Sequence, residues 1–232
     1  MINYLSNKKI IIICGHYGAG KTNIAVNISV KLKEQTELVY TVVDLDMVNP
    51  YFRSADNTED LKKHGIDFIG PEFANTNVDI SVFPSEILSV FDNKDKRAVI
   101  DVGGDGNGAA VLGSLADKIK RENYEMIYVV NKYRNLTKNT EAAINLAKLI
   151  EHKSKLKITS IINNSNIGSL TTPREIFDSV KYAREISDLL EAPLIGTCSM
   201  IDVDDINEAD VDFSEETVYN MFRMKNYTKK LF

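Results

Sequence analysis

The sequence predicts a three-layer α/β fold with a mostly parallel central sheet flanked by helices, on three observations. Short apolar runs alternate with longer amphipathic stretches along the chain. The apolar runs are continuous, as in strands buried on both faces. The chain has 232 residues of 44% hydrophobic composition, which suits one domain with a full core.

Each element follows in turn. Ile10–Cys14 reads as a strand, Thr22–Glu34 as a helix and Leu38–Asp44 as a strand. From Asn49 to Ser85 the pattern is irregular, broken at Asn49-Pro50, Gly70-Pro71 and Phe83-Pro84. A short helix near Thr58–His64 and a short strand near Asp67–Ile69 are expected there. Order returns with the strand Ala98–Val102, a helix about Gly108–Glu122 and the strand Glu125–Val130. Next come a helix Lys138–His152, a strand Ile158–Ile162, a helix Pro173–Leu190 and a strand Pro193–Gly196. The core spans about residues 9–209, and the tail reads as a last helix over about residues 214–230. In such sheets ligands bind beyond the carboxyl ends of the strands, so function is sought in the loops that follow them.

Composition narrows the partners. The formal net charge is −5, with 26% charged residues. A mildly acidic chain has no global electrostatic reason to seek nucleic acid. Cys14 and Cys198 lie far apart in apolar stretches, without the spacing of a zinc site or redox pair, and fit a reducing cytoplasm. Met1–Lys9 lacks signal-peptide anatomy. No apolar run approaches the ~18 residues of a membrane span.

Gly15-His16-Tyr17-Gly18-Ala19-Gly20-Lys21-Thr22 matches the phosphate-binding loop pattern GxxxxGK[ST], between an expected strand and helix. Its glycines let backbone N–H groups turn around phosphate oxygens, and the helix N-terminus adds partial positive charge. Lys21 is expected to reach the β- and γ-phosphates and Thr22 to ligate Mg²⁺. Asn23, next on the helix, joins them among the nucleotide contacts. Two acidic loops face the same edge. Asp44-Leu45-Asp46 ends one strand, and Asp101 ends another before Gly103-Gly104-Asp105-Gly106-Asn107-Gly108. A strand-end Asp is the expected partner of a phosphate-bound Mg²⁺. The alternative for Asp101 is an acid capping the next helix, and for Asp44 or Asp46 an ordinary strand-end residue.

In this order the motifs resemble the deviant P-loop ATPases of the MinD/ParA group, relatives of the nitrogenase iron protein and the arsenite pump. They also resemble a small family labelled CobQ/CobB/MinD/ParA-like. Asp101-Val102-Gly103-Gly104-Asp105 is similar to the iron protein's second switch, and Ile161-Ile162-Asn163-Asn164 to the group's adenine-contacting strand end. The resemblance implies a P-loop NTPase fold, MgATP binding, slow hydrolysis to ADP and nucleotide-dependent dimerisation. It makes Asp46 the residue that positions or activates the attacking water. Asp101 becomes the acid behind Mg²⁺, Asp105 a switch residue, and Asn163, with Asn164 beside it, the base contact. One departure is plain: His16 stands where the group carries a lysine that reaches the partner subunit's phosphates. An imidazole is not a constant cation at neutral pH. Either His16 itself or Arg53 could supply the charge, and Arg53 could equally be a solvated loop residue.

Asn131-Lys132-Tyr133-Arg134 begins like the guanine motif NKxD but has no Asp at its fourth place, which favours ATP over GTP. Phe73–Ser85 is long for a connection and could face a partner. The apolar and basic tail 218–232 fits either a membrane-surface helix or a helix docked on the core, and docking is the expectation. Three functions compete: a nucleotide-switch ATPase acting on a protein client, a small-molecule kinase or ATP-dependent ligase, and a binder without turnover. Arg121, Arg134, Arg174 and Arg184 are scattered and form no evident kinase lid.

Overall fold

The computed structural model describes residues 1–46, 58–70, 85–104, 107–201 and 221–227. Eight strands form one sheet: β1 Ile10–Gly15, β2 Val39–Asp44, β3 Asp67–Ile69, β4 Lys96–Asp101, β5 Tyr124–Val130, β6 Ser160–Asn163, β7 Leu194–Ser199 and β8 Met221–Arg223. Their order is β3-β2-β4-β1-β5-β6-β7-β8, and every neighbouring pair is parallel. The helices are α1 Ile2–Leu5, α2 Lys21–Lys33, α3 Thr58–Lys63, α4 Leu88–Asp92, α5 Asn107–Ile119, α6 Thr140–Ser154, α7 Pro173–Asp178 and α8 Val180–Leu190. This is the α/β P-loop NTPase fold.

The central strand shows why the fold has three layers. All six residues of β1 are buried, and successive side chains point to opposite faces. Ile10, Ile12 and Cys14 pack with Leu112 of α5, Ala143 of α6 and Ile186 of α8. Ile11 and Ile13 pack with Ile24, Ala25 and Ile28 of α2 and with Leu5 of α1. A strand apolar on both faces is stable only between two helical layers. Because all pairs are parallel, Gly15, Asp44, Asp101, Val130 and Asn163 end their strands along one edge. Asp44 and Asp101 are partners in the register of β2 and β4. The opposite edge carries buried Glu125, which accepts from Tyr4 and Thr159 and pairs with Lys8 at 2.8 Å.

Two expected helices differ. The single helix 173–190 is interrupted at Ser179, whose hydroxyl donates to the Ile176 carbonyl and accepts from Asn163 Nδ2. The terminal helix expected over 214–230 is not formed at 221–227, where the chain instead adds the edge strand β8 to β7. There Phe222 and Met224 are buried between exposed Arg223 and Lys225, a two-residue period. The rest of that expected helix lies outside the described residues. The segment does dock on the core, through two asparagines of α2. Asn27 receives Lys225 N–H on Oδ1 and donates from Nδ2 to the Lys225 carbonyl, both at 2.8 Å. Asn23 Oδ1 accepts Tyr227 N–H at 2.8 Å.

An amide that holds both backbone groups of one residue acts as a replacement strand partner. Asn27→Ala should therefore lower stability to urea by about 2 kcal/mol and speed proteolytic cleavage near Lys225. Unchanged stability and cleavage would mean that β7 and Asn23 hold the segment without Asn27.

Candidate functional site

The loop between β1 and α2 takes its shape from glycine. Gly15, Gly18 and Gly20 have φ of +144°, +73° and +85°, a region that L side chains rarely adopt. At Gly20 a Cβ would also stand 2.3 Å from Asn164 Nδ2. Lys21 opens α2 and is buried, and its Nζ donates to the His16 carbonyl at 3.0 Å, spanning the loop. A phosphate entering the loop competes for that ammonium. Ala19 is buried, and its carbonyl accepts from Asn164 Nδ2 at 2.7 Å. His16 Nδ1 donates to the Tyr17 carbonyl at 2.6 Å, which fixes the proton of the neutral ring on Nδ1. Burial holds the His16 pKa below its ordinary value. Lys21 and Arg134 add to that effect against the Tyr17 hydrogen bond.

The acidic loops meet this loop closely. Thr22 donates its hydroxyl proton to Asp101 Oδ2 at 2.5 Å. Asp101 is 1% exposed, and its Oδ1 has no hydrogen-bond partner among the described residues. Burial, then the Asp44 carboxylate, push the Asp101 carboxyl up to about 7, against Lys21 and the Thr22 hydrogen bond. Asp44 Oδ1 accepts the Asp46 N–H at 2.8 Å, and the Asp101 carbonyl accepts Leu45 N–H at the same distance. A Cβ on Gly103 would lie 3.1 Å from Asp46 Oδ1, and one on Gly104 would lie 2.3 Å from Tyr17 N. The three loops thus interleave backbone against backbone.

A cleft of about 610 Å³ opens from this junction. Tyr17, Gly18, Gly20, Lys21, Thr22, Asn23 and Asp46 line one end. Asn164, Asn166, Ser199, Met200, Ile201, Met224 and Asn226 line its extension toward β7 and β8. That size falls within the ~300–1,000 Å³ of small-molecule sites.

Many of the residues expected at the site gather here, and one that is described does not. Asn163 does not reach the cleft. It is fully buried, donating to Ser179 and accepting from Ser165 N–H and Oγ. Asn164, one residue on, faces the loop instead. Asp105 and Arg53 lie outside the described residues. Arg134, one of the arginines read as scattered, lines the cleft with its guanidinium carbon 3.5 Å from where a Cβ on Gly18 would stand. Asn23 is present in a double role, because its Oδ1 holds the C-terminal segment while its buried Nδ2 has no partner among the described residues. Met224 and Asn226 were not foreseen, since they reach the cleft only through the strand β8. Among the described residues no helix is long and apolar enough to cross a membrane.

Neither a protein-family model nor a curated protein matches the sequence. Solved structures are similar in fold. The signal recognition particle 54 kDa protein from Aeropyrum pernix K1, in complex with GDP, superposes with TM-score 0.52 at 17% identity, over 82% of this chain and 41% of that one. Cell division protein FtsY from Thermotoga maritima gives 0.54 at 16%, over 81% and 60%. This chain therefore spans less than two thirds of the length of either. A nucleotide-binding protein from Archaeoglobus fulgidus, in complex with ADP, gives 0.50 at 16%, over 88% and 86%.

Gly104 has no room for a side chain against Tyr17. Gly104→Ala should cost about 1–3 kcal/mol as the two loops separate. It should lower the melting temperature while far-ultraviolet circular dichroism stays native. An unchanged melting temperature would mean that the loops slide apart freely.

Proposed function

We propose that the chain binds MgATP in this cleft and hydrolyses it to ADP and phosphate as a nucleotide switch for a protein client. The observation that carries the reading is the Thr22–Asp101 pair beneath the Gly15–Thr22 loop. It sets the Thr22 hydroxyl, at the first turn of α2, against a buried carboxylate whose Oδ1 has no hydrogen-bond partner among the described residues. That donor set fits Mg²⁺, which binds through few protein oxygens together with substrate phosphates. Thr22 would hold the ion directly and Asp101 from behind, and the ion when bound neutralises phosphate charge.

The protein's own groups supply the rest. The loop amides and Lys21 bind the polyphosphate. Asp46, at the cleft wall against Gly103, orients the attacking water and takes up its proton. The loop at Gly103 and Gly104 responds to the terminal phosphate through its contacts with Asp46 and Tyr17. We further propose that the chain acts as one nucleotide-binding domain and that ATP promotes its self-association, in keeping with the MinD/ParA-like motif order.

Adenine is preferred because Asn164, Asn166 and Asn226 line the cleft with amides, and Asp46, at the loop end, is the one carboxylate among its described lining residues. An amide offers a donor beside an acceptor, the complement of adenine's N6 and N7.

Purified protein should release phosphate from MgATP, and Lys21→Ala should raise the ATP Kd by about 100-fold. Retained affinity in that variant would remove the loop from the mechanism. Asp46→Asn should bind ATP normally but turn over about 10²-fold or more slowly, whereas unchanged turnover would strike Asp46 from its role. In competition titrations ATP should displace a fluorescent adenine nucleotide at lower concentration than GTP does. The reverse order would assign the base end to guanine.

A further inference from the structure

We infer that Arg134 is a polyphosphate ligand supplied by the chain itself, its guanidinium contacting the phosphates of a nucleotide held by the Gly15–Thr22 loop. This rests on the nucleotide reading above and assigns it a residue outside the loop and its acidic partners.

The segment that carries Arg134 is firmly braced. After β5, Asn131 Oδ1 accepts Tyr133 N–H at 3.0 Å, and the Asn131 carbonyl accepts Arg134 N–H at 3.3 Å and the Thr137 hydroxyl at 3.1 Å. Thr137 N–H returns to the Arg134 carbonyl at 2.9 Å. Lys132 N–H donates to Ser165 Oγ at 2.9 Å, and Tyr133 donates its hydroxyl to the Glu175 carbonyl at 2.8 Å. The Tyr182 hydroxyl closes the turn onto the Thr137 carbonyl. Lys132, Tyr133 and Thr137 around Arg134 are thus tied to Ser165 after β6, to α7 and to α8.

The neighbouring cation is committed elsewhere, since Lys132 Nζ donates to the Asp178 carbonyl at 3.1 Å. Arg134 is different. It reaches back over the phosphate loop, and its Cζ and Nε both lie 3.5 Å from the Cβ position of Gly18. No carboxylate among the described residues forms an ion pair with it. Gly18, with φ of +73°, puts no side chain between the guanidinium and the loop backbone. Among the described residues lining the cleft, Lys21 and Arg134 are the two cations.

A planar guanidinium without a carboxylate partner among the described residues, held beside the glycine-rich phosphate loop, matches the fork geometry by which arginine takes a phosphate. With Arg134 in place, the charge on a bound polyphosphate is countered from within one chain.

The test is equilibrium binding of ATP and ADP to the full chain, wild type and variants, across a range of salt. Arg134 is exposed, so the variants should melt as wild type does. Arg134→Ala and Arg134→Gln should each raise the Kd of both nucleotides about tenfold or more. Arg134→Lys should recover part of that loss, and affinity should fall less steeply with salt in Arg134→Ala than in wild type. If wild type binds ATP and Arg134→Ala binds it equally well, the assignment fails while the nucleotide site stands. Equal affinities for the Gln and Lys variants would also overturn it, because charge would then be irrelevant. A wild type that binds neither nucleotide would overturn the site and this assignment together.

Discussion

The hydrogen bond from Thr22 to Asp101 joins the first turn of α2 to the end of β4, and the rest of the site is arranged around that join. A carboxyl this deeply buried beside a second acid, Asp44, is held up at about 7. Its ionised form gains most from a cation. The sheet creates this tension by placing Asp44 and Asp101 opposite each other in register, at the one edge where parallel strands all end. The far edge handles charge differently. There Glu125 is paired with Lys8 and hydrogen-bonded by Tyr4 and Thr159, and although burial opposes ionisation, those partners hold its pKa below the ordinary carboxylate value. One buried acid is satisfied within the chain, and the other keeps an oxygen without a hydrogen-bond partner among the described residues.

Close packing turns the site into a linked set of loops. Gly103 lies against Asp46, and Gly104 lies against the Tyr17 backbone at a distance that excludes even a methyl group. Such contacts do not deform gradually. A ligand that moves Tyr17 must carry Gly104 with it or lose the contact, and the same holds between Asp46 and Gly103. This interlock relates phosphate occupancy to loop position without any long relay.

The phosphate loop and the strand-end acids were legible in the sequence because each is local: a few consecutive residues joined to a strand of apolar run. The parallel sheet was legible for the same reason. What escaped depends on direction or on distance along the chain. Asn163 and Asn164 differ by one position, and at a strand end one position reverses the facing of a side chain. Residues 221–227 mix apolar and basic side chains in a way that suits a helix by composition. The buried pair Phe222 and Met224 fits a strand, and β7 with the amides of Asn27 and Asn23 decides the matter. In the sequence Arg134 is only the departure from a guanine motif and one of four scattered arginines, with no local signal that it reaches the phosphate loop. Its position follows from hydrogen bonds between its turn and residues as distant as Tyr182.

The C-terminal docking has a consequence for how the molecule comes into being. Asn27 and Lys225 are separated by 198 residues, and Asn23 and Tyr227 by 204. On a ribosome the phosphate loop is made well before Met224 and Asn226, which wall the cleft. A nascent chain therefore carries an incomplete cleft until that segment has been made. Its final wall seats only after the segment around residue 225 has left the exit tunnel.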